Sequence, residues 1–291
     1  GGNNNCYSRI IDALISKLAT NTHNDIMSYE PAIVYLNGDY WGIYGIREKM
    51  DEQYIEDNHS IDKDSVNLII DKHWGQRAIS GSAEDFNDTY HLLMNTNPND
   101  SSFFIILSNN FDIENLIDYL IVETYIGNLD WLKNGANNVK LWKSKSNNAK
   151  WRYLLYDTDA SFQTRFNTGR DPFYDALYPD HSSTHSDLFM RFLQNNEFKC
   201  HFGRRYTDLI NTIFHPDTLI SHLNVMQSNI DSAMNDHIAR WNCPDSLNAW
   251  YEYLEDIKIY NSQRSDYIIN YLSQYLNLQP SIYLGLDVYP A

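Results

Sequence analysis

The chain has 291 residues, 22 basic and 38 acidic, for a net charge of −16 and a pI near 4.9. Nucleic-acid binding needs a basic footprint, so this balance argues against a nucleic-acid partner and against an anionic membrane surface. No apolar run is long enough to span a bilayer, and hydrophobic content is ordinary for one large domain or two small ones.

Taken in order, Ile10, Ile11, Leu14, Ile15 and Leu18 form an amphipathic helical stripe. Ala32–Leu36 and Tyr40–Ile46 read as strands joined by Asn37-Gly38, a strong hairpin turn, with Arg47-Glu48-Lys49 at the end of the return strand. A short helix is expected over Asp51–Asn58 and a strand over Val66–Ile70, followed by Lys72, a residue suited to phosphate contact. Ser82 caps a helix running to about Met94, and Asn95–Asp100 is a loop. Asp112–Ile126 has the wide apolar face of a core helix. A polar loop then leads to two strands, Val139–Trp142 and Trp151–Tyr156, the second ending in Asp157-Thr158-Asp159. Gln163–Ser186 is expected to be a long loop. From Ser186 the chain reads as helical up to Pro280, and Ser281–Val288 as a terminal strand.

The central stretch carries the chemistry. An Asp on a loop (Asp130), an Asn opening a strand (Asn138), a hairpin, and an Asp closing the second strand (Asp157) form the layout of a phosphotransfer site. There the first Asp orients a hydroxyl and the other two hold magnesium on phosphates. The plainer reading is that Asx residues simply favour turns. His181 and His185 have the spacing of a helical metal pair, but no Glu follows the first His and the context is a loop, so no metal site is expected there. Cys6, Cys200 and Cys243 lie too far apart for a zinc motif and allow at most one disulfide. The abundance of Tyr and Trp fits aromatic packing in a helical core better than a sugar-binding surface.

Several of these motifs together resemble the spore-coat-protein-H (CotH) kinase family of atypical protein kinases. They are Tyr35–Tyr44, Arg47–Asp51, Gly127-Asn128-Leu129-Asp130-Trp131, Asn137-Asn138 and Tyr156–Phe162, with Asn196-Glu197-Phe198 and His237–Trp241 downstream. The resemblance implies an α+β, protein-kinase-like two-lobed fold, β-rich in its N-terminal part and helical in its C-terminal part. It implies ATP with Mg2+ or Mn2+, and transfer to a Ser or Thr hydroxyl of a secreted or surface protein, placing the chain outside the cell or at its surface. Carried over by residue, Asp130 orients the hydroxyl, Asn138, Asp157 and Asp159 ligate metal, and Arg47, Glu48 and Lys49 contact nucleotide together with Lys72. The family domain is expected over residues 1–280, truncated at its start, with 281–291 opening a following strand or linker. The sequence departs from ordinary protein kinases in lacking a Gly-x-Gly-x-x-Gly loop and in a longer Asp130–Asn138 spacing. The competing readings are a non-catalytic surface interaction module that keeps the fold and, third, a carbohydrate-active protein using Asp157 and Asp159.

Overall fold

A computed structural model describes residues 7–73, 75–162, 168–178 and 183–277. The first helix, α1 (Ile11–Leu18), is buried on nearly every side, with only Lys17 exposed. Strands β1 (Tyr29–Leu36) and β2 (Asp39–Arg47) form the expected antiparallel hairpin, and Asn37 and Gly38 both take positive φ, as a tight two-residue turn requires. Helix α2 (Glu52–His59) starts at Asp51, whose carboxylate accepts from the Gln53 and Tyr54 backbone N–H groups.

Strands β3 (Val66–Lys72) and β4 (Gly75–Ser80) form a second hairpin. Three helices follow: α3 (Glu84–Asn95), α4 (Ser102–Asn110) and α5 (Ile113–Ile126). The central hairpin is β5 (Val139–Ser144) with β6 (Arg152–Leu154). Helices α6 (Pro172–Leu177), α7 (Thr184–Phe192), α8 (Asn196–Asn211), α9 (Pro216–Trp241) and α10 (Leu247–Leu276) complete the described chain.

The molecule is thus mixed α/β; among the described residues five helices precede the central hairpin, four of them where expected and α4 in addition. The strands also divide differently. β3 and β4 join the central hairpin in one antiparallel sheet of order β4-β3-β5-β6, while β1 and β2 stand apart as a two-stranded sheet. The burial of β3 explains this: Val66, Leu68, Ile69 and Ile70 are all buried, so both faces of the strand must be covered. One face of the sheet packs on Met50, Tyr54 and Ile55 around α2, and the main core lies around α5.

The β1–β2 hairpin docks on α9 through polar contacts. His237 Nδ1 accepts from the Ile43 N–H at 3.0 Å, and the Trp241 indole donates to the Trp41 carbonyl at 2.6 Å. The family-like His237–Trp241 stretch therefore supplies partners for a strand that, among the described residues, has a strand neighbour on one side only.

The loop read over Gln163–Ser186 holds α6 and the start of α7 among its described residues, with Asp171 capping α6 and Pro172 at its first position. The expected terminal strand at Ser281–Val288 lies outside the described residues.

Candidate active site

The site begins where α5 stops. From Asn115 to Ile126 every residue of α5 is buried, so the helix is fixed in the core. Gly127 ends it in the left-handed conformation at φ +61, and a Cβ there would lie 2.8 Å from the Tyr260 hydroxyl. Gly127→Ala is expected to cost about 2 kcal/mol or more, adding backbone strain to overlap. Urea unfolding checks this, and a cost near zero would mean that α10 yields freely.

Past Gly127 the loop is locked residue by residue. The Asn128 amide donates to the Glu123 carboxyl at 2.9 Å, and its carbonyl oxygen accepts from the Asp130 N–H at 3.0 Å. Trp131 is buried and donates from its indole to the Tyr119 hydroxyl at 2.9 Å. Asp130 is then held from two sides: the Asn137 amide donates to Oδ1 at 2.7 Å and the Asn138 amide to Oδ2 at 2.9 Å. His73 Nε2 stands 3.8 Å from Oδ1. The Asp130 side chain is nevertheless 44% exposed, so an incoming group can reach it.

Asp157 follows β6 with φ +55. Its carboxyl is pushed above its ordinary value by burial first, then by Asp159 and Asp130, with Lys72 pulling the other way. Thr158, between the two aspartates, donates from both its N–H (2.8 Å) and its hydroxyl (2.7 Å) to Oδ1 of Asp12 on α1. The other Asp12 oxygen pairs with Arg47. Burial lowers the Arg47 pKa, while Asp159 and Asp157 raise it, which puts this cation within electrostatic reach of both aspartates.

Six of the eight residues expected at the site therefore form one electrostatic neighbourhood: Asp130, Asn138, Asp157, Asp159, Lys72 and Arg47. The other two have local partners. Glu48 accepts from the Ser28 N–H and the Asn58 amide; burial raises its pKa, but these hydrogen bonds hold the carboxyl below its ordinary value. Lys49 is 86% exposed and pairs with Asp51 at 2.8 Å. Lys49 thus braces the start of α2 at Asp51, and Glu48 ties the last turn of α2 to Ser28.

Three residues that the sequence reading passed over belong here. Asp12 sits in the first turn of α1, Glu123 on the buried length of α5, and Lys140 between Val139 and Leu141 on β5. Only Glu123 breaks its element's pattern, as a carboxylate on the buried length of α5; Asp12 falls outside the stripe of Ile11, Leu14, Ile15 and Leu18, and Lys140 alternates with Val139 and Leu141 as a strand residue can.

Glu123 is 1% exposed, and its carboxyl is raised to about 8, by burial above all, with Asn128 opposing and Asp157 adding. The folded chain holds this proton more tightly than the unfolded chain, whose ordinary value is 4.5. Its stabilising contribution is complete below that value and is lost as pH rises through the folded one. In metal-free buffer, Glu123→Gln is expected to flatten the fall in stability between about pH 5 and about pH 8 and to exceed the parent above it. Denaturation midpoints across pH check this; parallel parent and variant profiles would contradict it.

His185, half of the histidine pair in the sequence, is buried on α7 beside Tyr153, whose hydroxyl lies 3.0 Å from Nδ1, and stacks on Phe86. It is a core histidine here, and His181 lies outside the described residues. Among the described residues no three His, Cys, Asp or Glu side chains form a ready-made metal cage. The oxygen donors of Asp157, Asp159 and Asn138 fit a hard divalent cation whose remaining positions go to phosphate and water. The mutual repulsion of Asp157, Asp159 and Asp130 is what such a cation relieves. A separate groove of about 440 Å3 between α1, β1 and α9, lined by residues such as Lys17, Tyr29 and His222, contains none of the expected site residues.

The family model described as CotH kinase protein matches residues 3–268. The chain belongs to the CotH kinase family. Among curated proteins, no sequence matches it. For this CotH family member, no helix among the described residues is long and apolar enough to cross a membrane. Cys243 is disulfide-bonded and Cys200 is a free, exposed thiol.

Proposed function

We propose that this CotH family member is a metal-dependent ATP phosphotransferase that phosphorylates Ser or Thr of a secreted or surface protein, using a kinase-like two-lobed arrangement. The observation that carries the reading is the clamp on Asp130. Two amides hold both its oxygens while the carboxylate stays open to solvent and within electrostatic reach of Asp157.

In this reading Asp130 accepts a hydrogen bond from the attacking hydroxyl and takes its proton as the oxygen–phosphorus bond forms and the bond from the γ-phosphorus to the β–γ bridging oxygen breaks, with ADP as the leaving group. Asn137 and Asn138 keep the carboxylate in that orientation, and Asn128 fixes its backbone. Asn138, Asp157 and Asp159 are the residues that would hold Mg2+ or Mn2+, which neutralises phosphate charge when bound. Lys72 faces the phosphates. Arg47 acts through Asp12 to hold the acidic triplet in place, so it is a positioning residue in this scheme. The disulfide at Cys243 supports an oxidising compartment, in keeping with a location outside the cell or at its surface.

The test is label transfer from γ-labelled ATP to protein hydroxyls, on added acceptors or on the chain itself, with Mg2+ or Mn2+. The expected result is metal-dependent phosphoserine or phosphothreonine. Nucleotide binding with no transfer to any acceptor would favour the interaction-module reading instead.

A further inference from the structure

Lys140 lies on β5 opposite Ile70 of β3 and Leu154 of β6. The register puts Lys140 on the same sheet face as Ile70, with Lys72, two residues past Ile70, on that face too. Its ammonium donates to the Met50 carbonyl at 3.0 Å and stands 4.4 Å from the centre of the Tyr156 ring. Both partners are neutral.

Among the described residues Lys140 pairs with no carboxylate, although acidic side chains outnumber basic ones 38 to 22. Lys143, three residues on, pairs with Asp85 at 2.7 Å, and Lys49 pairs with Asp51. An ammonium carries three donors, so Lys140 keeps donor capacity beyond the Met50 carbonyl. It is half-buried and within electrostatic reach of Lys72, of Asp51, which is itself paired with Lys49, and of Asp157. Two lysines on one face of an acidic protein, beside a cluster of carboxylates, divide the site into a cationic and an anionic side. A phosphate chain carrying a divalent cation complements both sides at once.

Resting on the phosphotransfer reading above, we propose that Lys140 acts with Lys72 as the anion-binding side of the site and contacts the phosphate chain of a nucleoside triphosphate, across from the metal side formed by Asp157 and Asp159. The neutral contacts to Met50 and Tyr156 aim the ammonium without neutralising it.

The test is calorimetric titration of ATP and of inorganic tripolyphosphate, each with Mn2+, into the parent, Lys140→Met and Lys140→Arg. Met preserves the length and the packing against Tyr156, so the melting temperature without ligand serves as the folding control. The expected result is a loss of about 10- to 100-fold in affinity for both ligands in Lys140→Met, as for one charge-assisted hydrogen bond, with substantial recovery in Lys140→Arg. Equal ATP affinity in the parent and Lys140→Met would overturn the role of Lys140 and leave the phosphotransfer reading standing. Weaker ATP binding with unchanged tripolyphosphate binding would also overturn it, since the contact would then not be to phosphate. If the parent binds neither ligand, the phosphotransfer reading fails first and this assignment falls with it.

Discussion

Replacing Asp12 with alanine is expected to lower stability by about 3–5 kcal/mol, the range for removing one partner of a buried ion pair. Asp12 is 3% exposed and accepts from three donors: the Thr158 N–H, the Thr158 hydroxyl and the Arg47 guanidinium. Alanine leaves the buried Thr158 groups without their acceptor and the Arg47 charge without its partner. Asp12→Asn keeps an acceptor for Thr158 but turns an amide donor toward Arg47 and loses the charge, so its cost should fall below that of alanine without vanishing. Urea unfolding with an unchanged slope and a lowered midpoint is the expected signature. A loss under about 1 kcal/mol would mean that the pair behaves as a screened surface contact. The consequence reaches the site, because Thr158 separates Asp157 from Asp159. A variant that still folds should bind metal and nucleotide less tightly.

The largest effect on catalysis is expected from Asp130→Asn. An asparagine there presents an amide to the Asn137 and Asn138 donors and has no charge with which to take a proton. Phosphoryl transfer should fall by about 10²–10⁴-fold, the usual contribution of a positioned general base. Nucleotide affinity should stay within a few-fold, because Asp130 is assigned to the hydroxyl and not to the metal. Single-turnover rates together with equilibrium binding separate the two effects. A rate within tenfold of the parent would remove Asp130 from the chemistry.

Local features were legible in the sequence to different depths. The Asn37-Gly38 hairpin, the core helix α5 and the strand pair β5–β6 follow from turn chemistry and periodicity, and all three stand where expected. Asp130, Asn138 and Asp157 could be named as candidates because they lie within one short stretch. β4 was missed because its residues alternate between exposed and half-buried, leaving almost no apolar signal in Gln76-Arg77-Ala78. α4 was missed because Phe103-Phe104-Ile105-Ile106-Leu107 is a short apolar run that periodicity alone cannot assign to helix or strand. The sheet order was not legible either, since adjacency of β3 to β5 is a tertiary choice.

Asp12 shows the same limit at the site. It lies off the apolar stripe of α1, where a polar residue is ordinary, and its partner Thr158 lies 146 residues away. Periodicity gives the face of an element and says nothing about what that face meets. Lys140 is a second instance: the strand pattern puts it on a sheet face, and only the register puts Lys72 beside it.

The central claim, metal-dependent nucleotide binding between Asp130 and Asp157, is tested most directly by thermal unfolding with ATP alone, Mn2+ alone, and both together, on the parent and on Asp157→Ala. A ligand that binds only the folded chain stabilises it by about 2.7 kcal/mol at a hundred times its Kd. The account predicts a clear rise in melting temperature when ATP and Mn2+ are present together, little with either alone, and none in Asp157→Ala. Stabilisation by ATP that needs no metal, or that survives in Asp157→Ala, would contradict it.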